Sequence, residues 1–216
     1  MTESFARFVT MEFIYFLGKK SIVDVSLGDQ VERDITILFS DIRSFTNFSE
    51  KHSPQETIDF LNSYLNSISP LIKRNNGFID KYIGDAVMAI FPNGVDDAIR
   101  TAVNMMQELT DFNMLRCLTG HEEINIGIGI HSGMCMLGTI GEKHRLDTTV
   151  ISDTVNTASR LENLNKTLNT NILITHESFI KSENMEQYTY RKIGNENVRG
   201  KNESLCIYEI IVNKDT

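Results

Sequence analysis

Cysteine is scarce in this sequence. The three present, Cys117, Cys135 and Cys206, are odd in number and form no CxxC pair. That pattern excludes a disulfide framework and a thiolate metal site, and it favours a reducing, cytoplasmic compartment with structural thiols. Histidine is as scattered: His52, His121, His131, His144 and His176 lack the spacing of a zinc site. No apolar run approaches the roughly 18 residues of a membrane span, and the most apolar early stretch, Phe8 to Leu17, is interrupted by Glu12. Basic excess is missing too. With 21 Lys and Arg against 29 Asp and Glu, a net charge of −8 and a pI near 5.1, the chain is a poor match for a nucleic-acid backbone or an anionic lipid surface. It also lacks the aromatic pairs on adjacent strands that stack RNA bases. Gly127 and Gly129 are not followed by the GxxG and helix of a dinucleotide fingerprint. There is no internal repeat and no low-complexity tract.

What remains is an ordinary globular composition, 41% hydrophobic and 23% charged over 216 residues, enough for one domain plus an appendage. Residues 1–30 stand apart as the appendage. Phe5, Phe8, Val9, Phe13, Phe16 and Leu17 recur at helical spacing as far as Gly18, an amphipathic stripe that suits packing on its own domain or pairing with another chain. Residues 31–212 carry the regular elements, and 213–216 are a short tail. Ile35 to Phe39 reads as a central strand and Asp41 to Thr46 as the loop after it. Ser53-Pro54-Gln55-Glu56 is a capping start for a helix whose apolar positions are Ile58, Leu61, Leu65, Ile68, Leu71 and Ile72, ended by Asn75-Asn76-Gly77. Phe78 to Phe91 predicts a hairpin turning at Gly84-Asp85, with Ala86 to Phe91 buried on both faces. A second helix spans Asp96 to Leu115, with methionines that fill core. Ile124, Ile126, Ile128 and Ile130 alternate with polar or small residues, the period of a half-buried strand. A glycine-punctuated excursion follows to Thr149, then a helix over Ser152 to Leu168, a strand over Asn171 to Thr175, and a closing pair at Thr189 to Ile193 and Leu205 to Val212.

Two stretches concentrate the chemistry. ITILFSDIRSFT (Ile35 to Thr46) and KYIGDAVMAIF (Lys81 to Phe91) each bring an apolar run to a single acid, Asp41 or Asp85. Two carboxylates about 4 Å apart repel by roughly 4 kcal/mol at an effective dielectric near 20, so such a pair calls for a cation or a proton. Magnesium takes few protein carboxylates and fills its remaining positions with water and substrate phosphates. That combination points to phosphate chemistry.

FSDIRSFT, KYIGDAVMAIF, VISDTVNTASRLE and VRGK, in this order and covering about Val31 to Val212, resemble the catalytic domain of class III nucleotidyl cyclases, in the bacterial style of the adenylate type. The resemblance implies an α+β fold with a ferredoxin-like core, an antiparallel-rich sheet with helices packed on one side, and a head-to-tail homodimer with a shared active site. It implies that Asp41, Asp85 and the backbone carbonyl of Ile42 hold two Mg²⁺ or Mn²⁺ ions. Phe45 and Thr46 would meet the phosphates through their backbones, Asn156 would position the ribose, and Arg160 would stabilise charge at the α-phosphate. Arg199 and Lys201 would reach the β- and γ-phosphates. Lys81 with Thr149 selects the base: an ammonium donates to the acceptor N1 of adenine, whereas guanine wants a carboxylate. The expected activity is therefore conversion of ATP to cyclic AMP, with a guanylate cyclase, or a catalytically silent dimerisation or nucleotide-sensing module, as alternatives. The stretch from Ser4 to Glu32 resembles the segment that precedes such domains in receptors, so an upstream sensor is expected in a longer parent chain, which can itself be membrane-associated. Ser152 and Thr139 depart from the family's usual Gly and Asn.

Overall fold

A computed structural model describes residues 11–142, 145–196 and 204–212. The N-terminal stripe forms α1 (Met11–Phe16), which buries Phe13 and Ile14 completely and sets Phe16 with its ring 5.8 Å from that of Phe78. Its expected beginning, Phe5 to Val9, and the 213–216 tail lie outside the described residues. Strand β1 (Gln30–Ile42) is longer than the hydrophobic run suggested and carries Asp41 and Ile42 as its last residues. A short α2 (Phe45–Lys51) begins almost at once. The expected Asp41 to Thr46 loop is thus only Arg43 and Ser44.

Helix α3 (Pro54–Arg74) starts where the capping pattern put it: Glu56 donates its backbone N–H to Ser53 Oγ, and the Ser53 N–H reaches Glu56 Oε2 at 2.8 Å. Such a reciprocal cap stabilises a helix by about 1 kcal/mol. Its buried face is Phe60, Tyr64, Ile68, Leu71 and Ile72. Ile58, expected on that face, is 54% exposed; the larger rings at positions 60 and 64 turned the helix. The chain then forms β2 (Phe78–Ile83) and β3 (Ala86–Phe91), α4 (Val95–Leu118), β4 (Ile126–Glu142) and β5 (Arg145–Ile151). The glycine-rich excursion forms a hairpin. It is the far half of β4 and its return as β5, paired from Met136 with Ile151 to Glu142 with Arg145. The remaining elements are α5 (Asp153–Leu168), β6 (Ile172–Thr175), α6 (His176–Phe179), β7 (Thr189–Glu196) and β8 (Leu205–Ile211).

The sheet order is β2-β3-β1-β4-β6-β8-β7, with β5 on β4. The first four strands, joined through α3 and α4, are the split βαβ arrangement of a ferredoxin-like unit, antiparallel throughout. Among the described residues only β4 with β6 is parallel, linked across α5.

Alternate residues of each strand feed two cores. Leu38, Val87, Ala89, Phe91, Ile126, Ile128 and Ile130 meet α3 and α4 on one face. Ile35, Ile37, Phe39, Met88, Ile90 and Leu137 meet Phe13 of α1 and Ala158 of α5 on the other. Helices cover both faces, which corrects the expectation of one, and β4 is correspondingly buried on both faces over Ile126 to Ser132 instead of half-buried. The cause lies in the small residues alternating with the isoleucines. A Cβ on Gly129 would stand 2.3 Å from the backbone oxygen of Ala158 and 2.3 Å from the backbone nitrogen of Glu162. Helix α5 rests directly on the strand backbone, and only glycine admits it there.

Candidate functional site

The turn between β2 and β3 swings Asp85 against the end of β1. Gly84 takes φ 66° at that turn, and Asp85 Oδ2 accepts from the Ile42 backbone N–H at 3.2 Å. Asp41 lies close enough to share a hydrogen bond. Burial first, then that contact and the negative charge of Asp41, push the Asp85 carboxyl up to about 7, against the two backbone N–H groups that favour its ionised form. The structure brings the two aspartates together, and the Asp41 charge opposes ionisation of Asp85.

Three charged side chains without assigned roles stand beneath it. Lys166 of α5 places Nζ 3.8 Å from Asp41 Oδ2. Glu162, one turn earlier, is 4% exposed; burial, then Asp41, raises its carboxyl to about 7, while Lys166 and Arg43 pull the other way. Arg43 donates from Nη2 to the Thr170 carbonyl at 2.9 Å, tying the end of β1 to the loop after α5. All three lie in or just after the motifs that carry the aspartates and Arg160. Their signal in the sequence was charge inside or just beside those motifs.

The other candidates divide by element. Asn156 and Arg160 share one face of α5, which starts at a Ser152 cap accepting from the Val155 N–H at 3.2 Å. Ser152 thus keeps the helix start that a glycine would cap less well. Asn156 is exposed, and Arg160 Nη1 is buried with no hydrogen-bond partner among the described residues. A guanidinium left so is available to an anion. Phe45 and Thr46 open α2, where first-turn N–H groups have no intrahelical acceptor; Ser44 before them is left-handed at φ 58°, a conformation rare outside glycine that re-aims the chain. Lys81 lies on β2, with Nζ 3.4 Å from Asp80 Oδ2. Thr149 lies on β5 opposite Gly138. Among the described residues no hydrogen bond or ion pair joins Lys81, Thr149, Asn156 or Arg160 to the two aspartates. Arg199 and Lys201 lie outside the described residues.

The donor set fits a hard divalent cation. Among the described residues no group of three or more His, Cys, Asp and Glu could hold a metal, so beyond Asp41 and Asp85 the ligands must be backbone carbonyl, water or substrate oxygen, as Mg²⁺ and Mn²⁺ accept.

Residues 28–211 match the family described as the adenylate and guanylate cyclase catalytic domain. The chain is 44% identical over 215 residues to an adenylate cyclase of Anabaena cylindrica, covering 96% of this chain and 43% of that protein. It therefore spans less than half of that curated relative. Among solved structures it is similar to the adenylyl cyclase CyaB from P. aeruginosa, with TM-score 0.73, 30% identity, and 86% of this chain and 97% of that one covered. It is also similar to the guanylyl cyclase Cya2, with TM-score 0.72, 27% identity, and coverage of 88% and 96%.

Proposed function

Since the chain belongs to the family of adenylate and guanylate cyclase catalytic domains, we propose that it converts ATP to 3′,5′-cyclic AMP and pyrophosphate as a homodimer. The observation that carries this reading is the meeting of Asp41 with Asp85. Asp41, Asp85 and the Ile42 carbonyl would hold two Mg²⁺ or Mn²⁺ ions, whose chemistry when bound is to acidify the ribose 3′-hydroxyl and to offset charge on the triphosphate. The 3′-hydroxyl releases its proton to solvent as its oxygen attacks the α-phosphorus of the same molecule, the bond from that phosphorus to the α,β-bridging oxygen breaks, and pyrophosphate leaves with the electron pair. Nucleophile and electrophile are already joined, so these residues act mainly by holding an in-line pose and stabilising charge. Arg160, whose Nη1 has no hydrogen-bond partner among the described residues, directs its guanidinium to the α-phosphate, Asn156 holds the ribose, and the first-turn N–H groups of Phe45 and Thr46 take phosphate oxygens. Arg199 and Lys201 serve the terminal phosphates.

Lys81, with Thr149, reads adenine, and this distinguishes the proposal from a guanylate cyclase. A silent module would be expected to lack one of Asp41, Asp85, Asn156 or Arg160, and all four are present. The β4–β5 arm exposes Met134, Ile140, Leu146 and Ile151 at 52, 48, 41 and 61%, an apolar surface of the kind a second copy covers. In the head-to-tail dimer Lys81 and Asp85 of one chain serve different sites. The parent protein would add an upstream sensor.

The deciding experiment mixes two inactive proteins, Asp41→Asn and Arg160→Ala. Mixed dimers should regain activity by rebuilding one intact site, and no recovery would sink the shared-site reading. Assaying both nucleotides tests the base: a preference for GTP overturns the role given to Lys81.

A further inference from the structure

Along a regular strand, adjacent side chains project from opposite faces. In β2 that alternation breaks. Its register against β3 runs from Ile79 with Ala89 to Lys81 with Met88, skipping Asp80. Two steps of one strand against one of its partner are the mark of a bulge, with Asp80 as the extra residue. As a result Asp80 and Lys81, sequence neighbours, reach the same place, with Oδ2 and Nζ 3.4 Å apart. The acid is inside and the ammonium at the mouth: the Asp80 side chain is 1% exposed and that of Lys81 38%. Asp80 Oδ2 has no hydrogen-bond partner among the described residues, and 3.4 Å is long for a charge-assisted hydrogen bond. Lys81 is attracted without being spent. Its charge is held in direction while its N–H groups stay available to a ligand.

We propose that Asp80 is the positioning residue for Lys81, aiming its ammonium at the nucleotide base; this rests on the assignment of Lys81 to base recognition. A lysine on four flexible methylenes discriminates bases poorly unless something restrains it. The bulge supplies the restraint from the adjacent residue, so it survives any movement of the β2–β3 hairpin relative to a partner subunit. Burial pushes the Asp80 carboxyl up, Lys81 draws it back, and Asp147 on β5 pushes it up further. Lys81 is therefore the cation on which that carboxylate depends.

The test uses the full chain with ATP and GTP, comparing Asp80→Asn, Lys81→Met and the double variant. Asp80→Asn should raise KM for ATP about tenfold, the loss of roughly one charge-assisted contact, with a smaller change in kcat and a narrower preference for ATP over GTP. Lys81→Met should narrow that preference further, and adding Asp80→Asn to it should narrow it no more. If Asp80→Asn depresses both nucleotides equally, or neither, while Lys81→Met collapses the preference, Asp80 does not position Lys81. If Lys81→Met itself leaves the preference intact, the base assignment falls and the inference falls with it. Thermal melting decides the matter should Asp80→Asn fold poorly. Lys81→Met strands a buried carboxylate and should lower Tm, Asp80→Asn added to it should restore Tm, and a double variant no more stable than Lys81→Met overturns the coupling.

Discussion

Replacing Gly129 by alanine should damage both stability and catalysis through one displacement. The added Cβ would lie 2.3 Å from the Ala158 carbonyl oxygen, 2.3 Å from the Glu162 nitrogen and 3.0 Å from the Glu162 Cα. All three are backbone atoms, so no side chain can swing aside. Restoring ordinary contacts of about 3.5 Å requires α5 to retreat by roughly 1 Å. Overpacking of this kind costs about 1 to 3 kcal/mol. For a chain of 216 residues a cost near 2 kcal/mol lowers Tm by about 4 to 8 °C. Ala158 sits between Asn156 and Arg160, so the same retreat displaces both from the shared site they would complete across the dimer, and a 1 Å misplacement can cost up to about 100-fold in rate. Melting followed by circular dichroism and cyclase turnover at saturating ATP measure the two effects. Gly138→Ala is the graded comparison, since its Cβ would meet the Asp29 carbonyl at 3.1 Å and should cost less. A Gly129→Ala protein with unchanged Tm would refute the packing argument. One that melts early yet keeps full turnover would refute the link from strand to site.

Two further perturbations test the charges. Lys166→Ala removes the ammonium 3.8 Å from Asp41 Oδ2, so Mn²⁺ should bind severalfold more tightly by paramagnetic resonance titration; unchanged or weaker binding would show that the ammonium does not compete for the aspartate pair. Asp96, at the start of α4, accepts from the Glu183 N–H and the Asn184 side chain at 3.1 and 3.0 Å. Burial works against its ionised form, but these bonds and that from Ser182 outweigh it and hold the carboxyl below its ordinary 3.8. Its contribution is therefore present above that ordinary value and lost as pH falls through the lower one. Asp96→Ala should destabilise by about 1 to 3 kcal/mol at pH 7, with a smaller difference from the unmodified chain in melts below about pH 3.5. An equal difference at both pH values would contradict this.

Much of the chain was legible because its signals are local. The Ser53 cap, the Asn75-Asn76-Gly77 stop and the Gly84 turn each depend on residues within four positions of one another, and each is where the pattern put it. The errors came where a distant element intervened. Ile58 fits a helical stripe but loses its place to Phe60 and Tyr64, which pack tilted and edge-on against Phe112 of α4. The period-two pattern of Ile126 to His131 reads as one buried face and one wet face, because a glycine beneath a helix is indistinguishable in sequence from a glycine beneath water. The run from Gly133 to Gly141 carries no strand period of its own, because glycine is a weak strand former, and pairing with β1 and β5 holds it extended.

The site divides in the same way. By itself, the order of residue types along the chain settled which groups are candidates: two acids at the ends of apolar runs, an Asn and an Arg four apart on one helix, a Lys three residues before the turn glycine. Those are covalent facts of spacing, and no fold is needed to read them. Only the tertiary structure decided that Asp41 and Asp85, far apart in the sequence, press on each other, and that Lys166 and Glu162 come up beneath them. It alone turned Asp80 to the side of Lys81. Sequence separation says nothing about electrostatic neighbours, because Coulomb interactions act through space and the strand register, bulge and helix bed that set those distances exist only once the two cores have closed.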